Sequence, residues 1–211
     1  MGTAKDSEQT RARIIEAAGR LFAERGFKGV TVRMIAKEAE THLSALNYHF
    51  QSKQILFHEV LMHAAAHASI SAEEKRLLKT LKPREALFVM VKEVLEEGRR
   101  EGAGDWRNAL LARESHFGGE AYREVIEHYY RPDMVFATEL VAAAAGSTPD
   151  SRHVQFAVLT MVSLLETFGL HGHMAEEIVP GFFDDLGRND QLSRHIVAVT
   201  LAAANPELGG V

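Results

Sequence analysis

Cysteine is absent from all 211 residues. That excludes disulfides, thiol nucleophiles and cysteine-ligated zinc, and it fits a chain that stays in the cytoplasm. No apolar run approaches the roughly 18 residues of a membrane span, and the N-terminus MGTAKDSEQTRAR is polar, so a soluble, non-exported protein is expected. Phosphate-binding glycine loops, the zinc-binding helix motif and the nucleophile elbow are also missing. Scattered pairs such as Glu114 with His116, or Glu124 with His128, are what helical surfaces produce by chance. No enzyme, no cofactor and no metal site is therefore expected. His63 and His67 stand four apart, but lack a carboxylate partner pattern. His171 and His173 diverge by about 200° on a helix and are poorly placed to share an ion.

What is present is helical patterning over a chain that is 46% hydrophobic, enough for one sizeable core or two coupled domains. The net charge of −5 is unevenly spread. Residues 1–53 carry nine Lys/Arg against six Asp/Glu, a balance of +3, and the remainder carries fifteen against twenty-three, a balance of −8. Such a division suits a positive face for phosphates and an acidic body that stays off them.

Thr31 to Lys53, TVRMIAKEAETHLSALNYHFQSK, organises the reading. Val32, Ile35, Ala36 and Ala39 form an apolar helical face, with Thr31 placed to cap it. After a break at Glu40-Thr41, the spacing puts Leu43, Leu46 and Phe50 on the buried side of a second, short helix. His42, Ser44, Ala45, Asn47, Tyr48 and His49 fall outside. Ser52 is placed to cap a third helix with Lys53 in its first turn. Two helices joined by a tight turn, the second short and polar outside, make a helix-turn-helix.

Residues 11–61 resemble the DNA-binding domain of the tetracycline-repressor (TetR) family. The resemblance rests on Ile14-Ile15-Glu16-Ala17-Ala18 with Leu21-Phe22, on Glu24-Arg25-Gly26-Phe27, on Thr31-Val32 and Ile35-Ala36, and on Tyr48-His49-Phe50 with Ser52-Lys53. It implies an all-α protein with a DNA-binding domain at 1–55 and a helical ligand-binding and dimerisation domain at 56–211. It further implies that His42, Leu43, Ser44, Ala45 and Asn47 face bases, and that Thr31, Arg33, Tyr48, His49 and Lys53 meet phosphates. Asn47 has the chemistry to pair bidentately with adenine. The implied partners are a double-stranded operator, a second copy of the chain and a small apolar or aromatic effector. Where this family usually has Gly in the turn, Glu40 stands here, and a positive φ is expected of it.

Along the chain, a first helix is expected from about Glu8 to Arg25, stopped by Gly26. A long helix is expected from Ser52 to about Lys79. Pro83 opens another that buries Leu87, Val91, Val94 and Leu95. Gly98 to Gly104 reads as a polar connection, Trp106 to His116 as a helix broken by Gly118-Gly119. The next, about Glu120 to Ala145, contains Pro132 and should be interrupted near Tyr130-Arg131. Thr148 or Asp150 is placed to cap an apolar helix over 150–170 that His171-Gly172-His173 ends. Residues 176–188 read as broken, and Asn189 or Asp190 caps a last helix that stops near Asn205-Pro206. The resemblance implies an effector pocket, for which Trp106, Leu110, His116, Phe117, Tyr129, Met134, Phe136 and Met161 are candidates. The two late apolar helices suit a four-helix dimer interface, with Val158, Val162, Leu165, Ile196, Val199 and Thr200 as its candidates.

Overall fold

The computed structural model describes residues 4–101, 105–170, 172–182 and 190–205, and these are helical throughout their regular structure. They fall into two compact units. The first takes residues 1–69 and 104–130, the second 70–103 and 131–211. Packing therefore does not follow the sequence division at residue 55. The chain leaves the first unit after Ser69, returns to it at residue 104, and leaves again after Tyr130.

In the first unit, α1 (Ala4–Gly29) carries the stripe Ile14, Ile15, Ala18, Leu21 and Phe22 into the core. Gly26, at φ 66°, bends α1 before a last turn rather than ending it outright. Two short helices come next, α2 (Val32–Glu38) and α3 (Leu43–Phe50), and then α4 (Lys53–Ala68). Thr31 caps α2 by accepting a hydrogen bond from Met34 N at 3.3 Å, and Ser52 caps α4 through Ile55 N at 3.2 Å. Ile35, Ala36, Leu46, Phe50 and Leu56 close the small core, with Phe22, Phe27 and Phe57 packed ring to ring. Further along the chain, α7 (Trp106–Phe117) and α8 (Glu120–Val125) pack back on α1 and α4. Asp105 caps α7, and Gly118 ends it in a left-handed turn at φ 61°.

The expected helix from Ser52 to Lys79 is in fact two. It stops at Ala68, and α5 (Ala72–Leu78) starts afresh from a capping box between Ser71 and Glu74. Ser71 Oγ accepts from Glu74 N at 3.2 Å while the Glu74 carboxylate accepts from Ser71 N at 2.7 Å. The Ser71 hydroxyl, and then its backbone N–H, hold the Glu74 pKa below the usual value of 4.5. Apolar periodicity runs across this junction, so the cap decides where the helix is cut.

The second unit is built from α5, α6 (Pro83–Glu101), α9 (Arg131–Ala145), α10 (Arg152–Leu165), α11 (Gly172–Ile178) and α12 (Asp190–Ala203). Its core holds Leu87, Val91, Leu95, Phe136, Val141, Ala157, Met161 and Ile196. Val94, expected inside, is exposed. Helix α6 continues to Glu101 through most of the expected connection, and the rest of that stretch lies outside the described residues. Before Pro132 the chain widens into a π-helical turn at Ile126–Tyr130, the interruption expected there. A ring without an N–H that presses on the preceding turn accounts for it. Neither Thr148 nor Asp150 caps α10; the cap position is Ser151, without a side-chain bond. A second π turn, Glu166–Leu170, succeeds α10, His171 lies outside the described residues, and α11 occupies part of the stretch read as broken. Asp133, nearly buried, ties α9 to α5 by pairing with Lys75 at 2.6 Å and accepting from Ile70 N at 3.2 Å.

Candidate nucleic-acid interface

Helix α3 is held from below and open above. Leu46 and Phe50 are buried against α1, α2 and α4. At helical spacing, that burial turns His42, Leu43, Ser44, Asn47 and Tyr48 outward together, and all five are exposed. Tyr48 is the most open, at 80% of its full exposure. Leu43, expected to be buried with Leu46, instead lies on this outer face; so short a helix does not bring both ends of the stripe into the core. Ala45 and His49 flank the face, half-buried, and Thr31 and Arg33 are exposed at the start of α2. The face mixes amide, hydroxyl, imidazole and apolar groups on an eight-residue helix, a set able to meet base edges and the thymine methyl in a major groove about 12 Å wide.

The turn before α3 has a definite geometry. Glu40 N donates to Lys37 O at 3.2 Å and Thr41 N to Ala36 O at 2.9 Å, the double closure of a Schellman motif. Its left-handed residue is Glu40, at φ 48°, as the missing glycine requires. A side chain in that conformation costs about 1–2 kcal/mol, and Glu40 is exposed.

Lys53 does something other than reach outward. Its ammonium donates to Phe27 O and to Val30 O, each at 2.9 Å, and lies 4.1 Å from the centre of the Phe27 ring. Two of its three protons are thereby spent on Phe27 in the last turn of α1 and on Val30 just beyond it, and it fastens the start of α4 to the segment that leads into α2. Arg11 lies over the Phe50 ring at 5.3 Å and pairs with Glu59, fastening α1 to the far end of α3 and to α4.

Residues 14–60 match the family model described as bacterial regulatory proteins, tetR family. Residues 83–204, more than half of the chain, match the model of the C-terminal domain of the HTH-type transcriptional dual regulator CecR. The chain belongs to the TetR family. Within that family it is similar to the HTH-type transcriptional repressor NicS of Pseudomonas putida, 34% identical over 88 residues, which cover 42% of this chain and 41% of that one. It also resembles the probable HTH-type transcriptional regulator YttP of Bacillus subtilis, 32% identical over 80 residues, covering 33% and 39%. The matched stretches thus span only about two-fifths of these curated relatives. Among solved structures, the hemolysin II transcriptional regulator HlyIIR superposes with a TM-score of 0.62 at 18% identity, over 91% of this chain and 97% of that one, so the two share a fold.

The remaining sites expected of a TetR-family chain are placed unevenly. Of the interface candidates, Val158, Ile196 and Thr200 are buried within the chain's own core. Val162, Leu165 and Val199 are half-buried at its edge. The outward strip of α10 is Phe156 and Leu159, 57% and 61% exposed, with Ser163; that of α12 is His195 and Ala202. Because α10 is apolar around most of its circumference, its pattern alone could not say which strip faces in. The pocket candidates divide between the units. Trp106 and Leu110 are buried in the first unit's core with Tyr129 packed against it, while Phe136 and Met161 are buried in the second with Met134 alongside. His116 and Phe117 are exposed on α7, Phe117 at 69%.

Proposed function

We propose that this chain is a homodimeric DNA-binding transcriptional regulator, a repressor released from a two-fold symmetric operator by a small apolar or aromatic molecule. The observation that carries the reading is the outer face of α3, where His42, Leu43, Ser44, Asn47 and Tyr48 stand exposed together on a helix pinned by Leu46 and Phe50. Side chains at base edges specify sequence, and contacts to the backbone position the protein. Asn47 takes the specifying role with Ser44, His42, Leu43 and the flanking Ala45. Thr31, Arg33, Tyr48 and His49 take the positioning one. Lys53 supports the site through α1, since its ammonium already serves two carbonyls.

One such helix reads only a few base pairs, so a second copy is needed to specify a useful site. The exposed apolar strip of α10, Phe156 and Leu159, favours a self-complementary interface between two copies. An effector held among the apolar helices of the second unit would shift DNA binding by the difference in its affinity for the two states, typically about 1–3 kcal/mol. The relative from Pseudomonas putida is named a repressor, which favours repression as the direction.

Selection of bound duplexes from a random pool at two salt concentrations tests the reading. A two-fold symmetric site whose affinity falls steeply with salt is expected. Recovery of no consensus at either salt would overturn it. With the site in hand, Asn47→Ala should relax preference at one step of each half-site, worth about 1–3 kcal/mol of discrimination.

A further inference from the structure

Helix α7 sits on a seam of α1 that has glycine at two places, seven residues apart. A Cβ on Gly19 would run into the Trp106 ring, and a Cβ on Gly26 would lie 2.5–2.9 Å from Nη2, Cζ and Nε of Arg113. Trp106 and Arg113 are likewise seven apart, so the two helices run in the same direction and mesh at a matched period. The upper contact is locked by polar bonds. Trp106 Nε1 donates to one oxygen of Glu16 at 2.9 Å, Arg107 donates to the other at 2.5 Å, and Arg107 is held in turn by Asp105 at 3.1 Å. At the lower contact the flat guanidinium of Arg113 covers the bend itself, because Gly26 is the residue at φ 66° where α1 turns.

Immediately beyond that bend lies the joint to the reading head. Phe27 and Val30 are the two residues whose carbonyls Lys53 holds, and Thr31 caps α2 directly afterwards. No slack separates Gly26 from the helix-turn-helix. The direction in which α2 and α3 leave α1 is thus set between Arg113 on one side and Lys53 on the other.

We propose that Arg113 is a positioning residue for DNA recognition, seated by Trp106 at the other end of the glycine seam. It fixes the bend at Gly26, and through it the pose of α3, without touching DNA. This rests on the regulator reading under Proposed function. α7 and α8 come from the stretch of chain that matches the C-terminal family model, yet they pack in the first unit. Arg113 therefore places that stretch in direct contact with the root of the helix-turn-helix.

The test is binding of Arg113→Ala and Arg113→Lys, in the full chain, to the selected operator and to unrelated duplex across a salt series. Expected is a loss on the order of tenfold in operator affinity for both variants, since an ammonium cannot plate the glycine. Affinity for unrelated duplex and the salt slope should not change, and the variants should keep the parent's helicity. A salt slope lower by about one would make Arg113 a phosphate contact and overturn the proposal. So would an equal loss on both duplexes, full rescue by lysine, or unchanged operator binding. If the parent itself selects no operator, the regulator reading fails first, and that result is separable from these.

Discussion

Removing the Lys53 ammonium takes a charged donor from two carbonyls at once. Lys53→Ala should cost about 2 kcal/mol in urea unfolding, within the range for hydrogen bonds to charged groups, and leave the salt slope of DNA binding where it was. A slope lower by about one would instead assign the third proton to a phosphate. Glu40 makes the opposite case, a residue whose replacement should help. Glu40→Gly removes the cost of a side chain at φ 48° and should stabilise the fold by about 1 kcal/mol, less the entropy that glycine adds to the unfolded chain. His63 supplies a pH dependence. Its ring lies against Trp106 at 6.4 Å, and burial, then the nearby Arg107, lower its pKa from 6.5 although Glu16 opposes them. The folded chain therefore binds its proton less readily than the unfolded chain, and stability should fall as pH drops below 6.5. His63→Gln should flatten that decline, and proton NMR of the parent should show the His63 ring titrating below 6.5.

Elements obey their ends more than their middles in this chain. Thr31, Ser52, Gly26, Gly118 and Pro132 each mark a boundary, bend or interruption that the sequence announces, because a cap, a positive φ or a missing N–H is local chemistry. The cut between α4 and α5 is harder to read for a related reason. Ser71 and Glu74 spell a capping box, but apolar residues continue on both sides of it and periodicity alone joins them. Ser71→Ala should cost about 1 kcal/mol and loosen α5 in hydrogen exchange while leaving α4 protected. The face of α3 is legible because burial of Leu46 and Phe50 determines what points away. The seam of Gly19 and Gly26 is not. Both glycines stand in a helix whose apolar stripe already explains its packing, and their partners Trp106 and Arg113 lie about ninety residues further on.

At the scale of the whole molecule, the helical architecture and the TetR-type beginning are both readable, whereas the surfaces by which copies would meet are not. α10 and α12 are apolar on several sides, so their inward strip emerges only from packing, and Phe156 and Leu159 are what remains outside. Phe156→Glu with Leu159→Glu should leave a folded monomer by sedimentation and, with it, a loss of cooperative operator binding. A dimer that survives both changes would place the interface elsewhere.

The double visit of the chain to the first unit bears on how the protein is made. Synthesis releases α1 to α4 first, yet their core also contains Trp106, Leu110, Leu111 and Val125. Until those residues leave the ribosome, the glycine seam of α1 faces water and the helix-turn-helix lacks its backing. Residues 70–103, which belong to the other unit, must be looped out meanwhile. The first unit is thus completed late, after more than half the chain exists, and a nascent or truncated product ending at Ser69 would expose apolar surface.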